Sequence, residues 1–167
     1  MKITAQEEYG LRCLLQLARN ASDPSPLTVR EVAEREGLSA AYAEKLLHSL
    51  GRAQLAKSVR GVRGGYRIAR APDTVNVGEA IRALGGVLSP VDFCERFTGQ
   101  KECCVHAGDC GLRSVWSALS LVIGNLLDQV PISTLLQPEQ AVEESIKALN
   151  EPALGRANGN KRSRDCG

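Results

Sequence analysis

The sequence predicts a mainly α-helical fold with one small β wing, in which a compact N-terminal unit is followed by a long separate helix. Three observations predict it. Two capping-box patterns, Thr4 with Glu7 and Thr28 with Glu31, each precede apolar residues at helical spacing. A basic, glycine-rich stretch separates two short strand-like runs at residues 55–59 and 66–68. An apolar stripe with intervals of four, three and four then opens after a cysteine-bearing stretch that has no periodicity.

The first helix carries Leu11, Leu14, Leu15 and Ala18 on one face and ends near Asn20. The polar, proline-bearing run Ala21 to Leu27 is a loop, and Thr28 opens a short helix that ends before Gly37. Leu38 and Ser39 lead into a third helix with Tyr42, Leu46, Leu47 and Leu50 on one face, leaving Ala40, Ala41, Glu44, Lys45 and His48 largely on others. Ala33 is small enough for the second and third helices to approach, and Gly37 suits the left-handed turn between them, which makes a helix-turn-helix. Such units also occur in bundles that bind nothing. The next segment narrows the reading. Leu55, Lys57 and Val59, then Tyr66, Arg67 and Ile68, flank Gly61, Val62, Arg63, Gly64 and Gly65, giving a basic hairpin with a glycine-rich tip and hence a winged helix. A merely solvated hairpin does not account for its basic character throughout. Asn76 and Glu79 cap a further helix through Leu84, stopped by Gly85 and Gly86.

With 167 residues, 43% apolar and a net charge of +2, the chain is excluded from the fibrous and wholly disordered classes. No run approaches the ~18 apolar residues of a spanning helix; the best, Leu119 to Leu127, contains Ser120, Gly124 and Asn125. Glu7 and Glu8 stand where a signal peptide would be apolar, so a cytoplasmic protein without membrane contact is expected. Residues 1–90 hold 13 basic and 9 acidic side chains, residues 91–167 hold 8 and 10. Arg52, Lys57, Arg60, Arg63, Arg67 and Arg70 follow one another with no acid between Glu44 and Asp73. On charge alone this is either a phosphate-facing surface or a solvated basic face.

The expected organisation is a winged helix-turn-helix domain at 1–87, a cysteine-bearing loop at 88–111, a long helix at 112–131, a C-terminal helix at 132–150 and a disordered, polar tail at 151–167. The long helix places Val115, Leu119, Val122 and Leu126 on a stripe widened by Trp116, Ile123 and Leu127, and Pro131 ends it. So apolar a face needs a partner surface, and little chain remains to cover it, so it reads as a dimerisation helix, the alternative being packing within its own subunit.

Six cysteines are too few for a disulfide scaffold in a reducing compartment, and Cys94, Cys103, Cys104 and Cys110 cluster in the loop, which points to metal or redox chemistry. Cys13 on the first helix reads as a small core residue, and Cys166 lies in the tail. Soft thiolates select zinc or iron-sulfur clusters, and the loop lacks the Cys-x-x-Cys knuckles usual for structural zinc, so a cluster fits better. Cys94, Cys104 and Cys110 supply three thiolates, with Cys103, His106, Asp109 and Glu8 of the first helix as candidates for a fourth ligand. No nucleophile, base and orienting group fall into a recognisable catalytic arrangement, so an enzyme is not expected.

The runs Val32 to Ser39, Tyr42 to Leu46, Val59 to Arg67 and Val77 to Leu84, with the start Met1 to Thr4 and Glu8-Tyr9, resemble the bacterial regulator family typified by IscR, NsrR and RirA over most of residues 1–135. The resemblance implies a dimeric winged-helix regulator in which three loop cysteines hold an iron-sulfur cluster whose state controls promoter binding. Cys94, Cys104 and Cys110 match the ligands, the last two keeping the family's five-residue gap. The gap from Cys94 to Cys104 is longer than in the commoner patterns, so Cys103 competes as the middle ligand. Arg113 stands where IscR-like members place a histidine, whereas Glu8 matches the carboxylate that NsrR-like members supply. A 4Fe-4S cluster with a carboxylate corner is therefore favoured, with 2Fe-2S as the alternative.

On this reading a homodimer, expected to be a repressor, binds a pseudo-palindrome in double-stranded promoter DNA. Ser39, Ala40, Tyr42, Glu44 and Lys45 enter the major groove, and Arg60, with Gly61 and Arg63 beside it, enters the minor groove. The rival readings are a metal-free thiol switch using Cys103, Cys104 or Cys94, and a cluster-carrying electron-transfer protein.

Overall fold

A computed structural model describes residues 3–61, 64–86, 98–106 and 109–155, with side chains to residue 149. Helix α1 spans Ala5–Arg19 and α2 spans Val29–Glu36. Both begin with the predicted reciprocal caps: the Thr4 amide donates to Glu7 at 2.6 Å and the Thr28 amide to Glu31 at 2.8 Å, while each threonine hydroxyl accepts the glutamate's amide in return. The α2 helix ends at Gly37, whose φ of +66° is the left-handed conformation that glycine adopts freely; the Leu38 amide then reaches back to the Ala33 carbonyl at 2.8 Å. Helix α3, Ala40–Arg52, starts on the Ser39 hydroxyl.

These three helices close on a core of Cys13, Leu14, Leu17, Val32, Leu46, Leu47, Leu50 and Leu55, none more than 1% exposed. Burying one such leucine is worth about 1.5–3 kcal/mol, which is why the leucine spacing alone fixes the helix packing. Strands β1, Ala56–Val59, and β2, Gly65–Ile68, pair antiparallel with Ala56 opposite Ile68 and Val59 opposite Gly65. The hairpin is not free-standing. Leu27, ahead of α2, pairs with Tyr66 through amide-to-carbonyl bonds of 3.0 and 2.7 Å, so the wing is anchored to the entrance of the helix-turn-helix. Gly65, expected in the hairpin tip, belongs to β2, because a Cβ there would lie 2.2 Å from the Leu27 carbonyl oxygen and only glycine allows the approach.

Helix α4, Val77–Ala83, starts on Asn76 and packs across α1, where a Cβ on Gly10 would meet Leu84 at 2.3 Å. Gln6 adds a side-chain bond to the Leu84 carbonyl. Residues 98–106 and 109–110 are irregular, as expected of the cysteine loop; residues 87–97 and 107–108, including Cys94, lie outside the described residues. Helix α5 spans Gly111–Asp128. The chain then returns to the winged-helix unit: the Val77 amide donates to Val130 at 2.9 Å and the Ile132 amide to Val75 at 2.8 Å, with Val130 and Ile132 buried. A short 3-10 turn, Thr134–Leu136, leads to α6, Glu139–Gly155.

That last helix corrects the predicted boundary at residue 150. It runs five residues into the stretch expected to be disordered. The expectation for residues 156–167, Cys166 among them, falls outside the described residues. Among the described residues, no helix is long and apolar enough to cross a membrane.

Candidate nucleic-acid interface and cysteine segment

Helix α3 divides into two faces. Ala43, Leu46, Leu47 and Leu50 are buried, while Ser39, Ala40, Ala41, Glu44, Lys45, His48 and Arg52 are exposed. The turn at Gly37 therefore projects the N-terminal end of α3 into solvent with short side chains and one pair of opposite charges at its start. Tyr42, expected on the apolar face of the helix and among the groove residues, is half-buried and packs edge-on against Tyr9 of α1, ring centroids 6.2 Å apart and planes at 80°. Apolar ring area between α1 and α3 draws it inward.

The hairpin presents Lys57, Ser58 and Arg60 to solvent, and Gly61 at its tip has φ +124°. Arg63 lies outside the described residues. Not all of the basic run serves the surface. Arg67 donates to the Pro24 and Asp23 carbonyls at 2.8 and 2.9 Å, fastening the loop before α2, and Arg70 is paired with Glu79. Arg52, Lys57 and Arg60 make no salt bridge with another described residue, so the usable positive charge is concentrated beside α3.

Beneath this surface lies a polar joint with no signal in the periodicity. The Glu36 carboxylate, at the end of α2 and 7% exposed in its side chain, accepts from Arg12 at 2.6 Å and from Gln16, both on α1. Burial of a carboxylate is tolerated only with such partners. Glu36 in turn raises the pKa of the Arg12 guanidinium above its ordinary value, and the same guanidinium lies 5.3 Å from the Tyr9 ring centre. The i, i+4 spacing of Arg12 and Gln16 is the only trace the sequence gives of this joint.

The cysteines separate into two kinds. Cys13 is fully buried, and burial pushes its thiol pKa up to about 12, so it is a core residue without reactivity. Cys103 is exposed, and Cys104 and Cys110 are half-buried. Cys110 caps α5 through its backbone, accepting the Arg113 amide at 3.1 Å, and its side chain makes no capping bond. The Arg113 guanidinium reaches the His106 carbonyl at 3.1 Å, tying the loop to the first turn of α5. His106 and Asp109 are exposed, as is Glu8 on α1. Among the described residues, no three His, Cys, Asp or Glu side chains converge, and Cys94 is not one of those residues.

Helix α5 is turned the opposite way from a helix that completes a monomer. Ser120, 8% exposed, faces inward, and Leu127, expected on the outward stripe, packs against the core, whereas Leu112, Val115, Leu119 and Val122 are 43–66% exposed and Trp116 39%. The Arg82 to Asp128 pair at 2.6 Å and the close seat of Asp128 against Gly78 hold its C-terminal end on α4.

Comparison with known proteins fits this arrangement. The family model Rrf2, an iron-dependent transcriptional regulator, matches residues 3–138. Protein rrf2 of Nitratidesulfovibrio vulgaris is 30% identical over 82% of this chain and 88% of its own length. The HTH-type transcriptional regulator IscR of Aliivibrio salmonicida is 31% identical over 92% of this chain and 88% of its own. Among solved structures, CymR, the global cysteine regulator of Bacillus subtilis, superposes with a TM-score of 0.64 at 29% identity, covering 81% of this chain and 95% of the other. The winged helix read from the hairpin and the turn at Gly37 is thus that of a transcriptional regulator and not of an enzyme, and the chain belongs to the Rrf2 family.

Proposed function

We propose that the protein works in the cytoplasm as a homodimeric repressor that binds pseudo-palindromic promoter DNA and reads the state of an iron-sulfur cluster. The exposed face at the start of α3, next to Lys57 and Arg60 of the hairpin, which form no salt bridge with another described residue, carries the DNA half of this reading. Ser39, Ala40, Glu44 and Lys45 meet the major groove, with Glu44 placed to accept from a cytosine amino group, while the Tyr42 ring stays against Tyr9 and supports the helix. Arg60, Gly61 and Arg63 follow the neighbouring minor groove. The outward apolar stripe of α5 supports the dimer, since a second copy of the same stripe removes that area from water and produces the two-fold symmetry of the operator.

The donor set fits the cluster. Cys104 and Cys110 are half-buried and free of disulfides, in irregular backbone at the head of α5, and with Cys94 they give three soft ligands. Exposed Glu8 supplies an oxygen ligand for a 4Fe-4S cluster from its own or the partner subunit, with Cys103 and His106 as alternates; a 2Fe-2S cluster is the lesser option. When bound, the group supplies a redox- and ligand-sensitive link between the loop and α5. Iron and acid-labile sulfide, measured with an absorption spectrum on protein purified without oxygen, test this: both are expected in stoichiometric amount and both are lost in Cys94→Ala and Cys110→Ala.

A second reading has support from the exposure of Cys103 beside Cys104 and from similarity to a cysteine regulator: a metal-free thiol switch. It predicts no iron or sulfide and DNA affinity that changes when Cys103 is oxidised.

A further inference from the structure

The C-terminal half of α3 and the first hairpin strand enclose an open cleft of about 550 Å³ lined by His48, Arg52, Gln54, Lys57, Ser58 and Tyr66, with no carboxylate among its lining residues. We infer that this cleft seats a backbone phosphate of duplex DNA, at the edge of the groove that the start of α3 reads. The inference rests on the DNA-binding reading above and adds to it a set of residues that specify position and not sequence.

Three observations carry it. Lys45, His48 and Arg52 recur at intervals of three and four and are all exposed, so a ridge of side chains runs along α3 away from its base-facing start. From Glu44 to Arg52 the helix rises by about 12 Å, so with its N-terminal residues on the base edges its C-terminal end stands clear of them, on the side of the phosphates. The chemistry of the lining matches: a planar guanidinium from Arg52, an ammonium from Lys57, an amide from Gln54 and a hydroxyl from Ser58 are all donors, and neither cation forms a salt bridge with another described residue.

The third observation is the turn that builds the cleft. Gln54 has φ +58°, the only positive φ among described residues other than glycine, and the Leu55 amide closes the turn on the Leu50 carbonyl at 2.9 Å. This reversal brings Lys57 of β1 opposite Arg52 of α3. A glycine would make the turn without strain, yet the position holds an amide side chain that lines the cleft and whose one internal bond, to the Gly51 carbonyl, is a long 3.4 Å.

The test uses the full chain and a mixed-sequence DNA duplex, with binding followed by fluorescence anisotropy over a series of potassium chloride concentrations. Because Arg52 and Lys57 are exposed, Arg52→Ala with Lys57→Ala leaves the melting curve unchanged. The slope of log affinity against log salt is expected to become shallower by about 0.9 per protomer, the value for one lost phosphate contact. A wild-type slope that persists in the variant overturns the cleft and leaves the DNA reading intact. Absence of salt-dependent binding by the wild-type protein overturns both. Inorganic phosphate at matched ionic strength is expected to compete no better than chloride; preferential competition would make the cleft a small-anion site and overturn its assignment to DNA.

Discussion

Replacing Gly65 by alanine tests how the wing is held. The new Cβ would lie 2.2 Å from the Leu27 carbonyl oxygen, 2.6 Å from its carbon and 3.0 Å from the Thr28 nitrogen. All three are backbone atoms, so no rotamer relieves the clash. A carbon-oxygen contact needs about 3.3 Å, so β2 must move about 1 Å away from Leu27. That movement breaks both bonds of the Leu27 to Tyr66 bridge, 3.0 and 2.7 Å long, beside a residue that is 4% exposed. Each bond is worth about 1 kcal/mol net, and a buried group left unsatisfied costs about 1–3 kcal/mol, so a loss of about 2–4 kcal/mol follows. For a chain of this size each kcal/mol lowers Tm by about 2–4 °C, giving a fall of about 4–16 °C by circular dichroism. Gly61→Ala is the control: nothing lies within 4 Å of its Cβ, so it carries only the local strain of φ +124°, about 1–2 kcal/mol. DNA affinity should fall in Gly65→Ala along with Tm. A Gly65→Ala protein that melts within about 2 °C of wild type would refute the argument that the Leu27 bridge fixes the wing.

Other predictions address the joint, the caps and the dimer. Arg12→Ala should destabilise more than Glu36→Gln, because it strands a carboxylate that is 7% exposed whereas Arg12, 41% exposed, can rehydrate; urea midpoints of the two variants and their combination would show whether the ordering holds. The amide and hydroxyl of Thr28 hold the Glu31 carboxyl pKa below its ordinary value. The stability this gives is present above the unfolded pKa of about 4.3 and is lost as pH falls through the folded value, so Thr28→Val should flatten the acid limb of a Tm against pH profile. Cys13 acts in the opposite sense: burial raises its pKa to about 12, so its contribution is complete below the unfolded value of about 8.5 and is lost as pH rises towards 12. Iodoacetamide at neutral pH should therefore label Cys103 in the metal-free protein and spare Cys13 until the protein unfolds. Val122→Glu, on the exposed stripe of α5 and away from the core, should convert a dimer to a folded monomer by sedimentation; a dimer that persists would assign that stripe to another contact.

The parts of the fold legible in the sequence are those where one residue type has one physical role. Thr4, Glu7, Thr28 and Glu31 mark helix starts because two orphan amides need two oxygens, and Gly37 marks a helix end because its φ is positive. The leucine spacing gives the core because burial of apolar area is not directional. The less legible features depend on contacts distant in sequence. Nothing local shows that Gly65 faces the Leu27 carbonyl, that Arg67 is taken up by the loop before α2, or that Glu36 sits between Arg12 and Gln16. The inward packing of Tyr42 is legible in its spacing with Leu46 and Leu50, but its edge-on partner Tyr9, 33 positions away, is not. In the site, the basic run is visible as charge, but which cations remain for DNA is decided by which carboxylates and carbonyls the fold brings within reach. Arg52 and Lys57 become a pair only through the left-handed turn at Gln54, a conformation that no propensity for glutamine foretells.

The two ends of α5 explain why a signal at the cysteines would reach DNA. The C-terminal end is tied to the winged helix by Arg82 and Asp128, by the seat against Gly78 and by the two backbone bonds around Val130 and Ile132. The N-terminal end begins at Cys110 and is linked through Arg113 to the cysteine segment. The helix of 18 residues is about 27 Å long, so a tilt of about 5° about the tied end moves the other by about 2 Å. In the proposed homodimer such a displacement would be felt twice, once in each subunit, and would alter the separation of the two α3 helices along the duplex. Because half-site spacing is set by the helical repeat of DNA, a shift of this size is large compared with the tolerance of the base contacts. The cysteine segment thus lies at the one end of α5 where a small change in ligation has the longest arm.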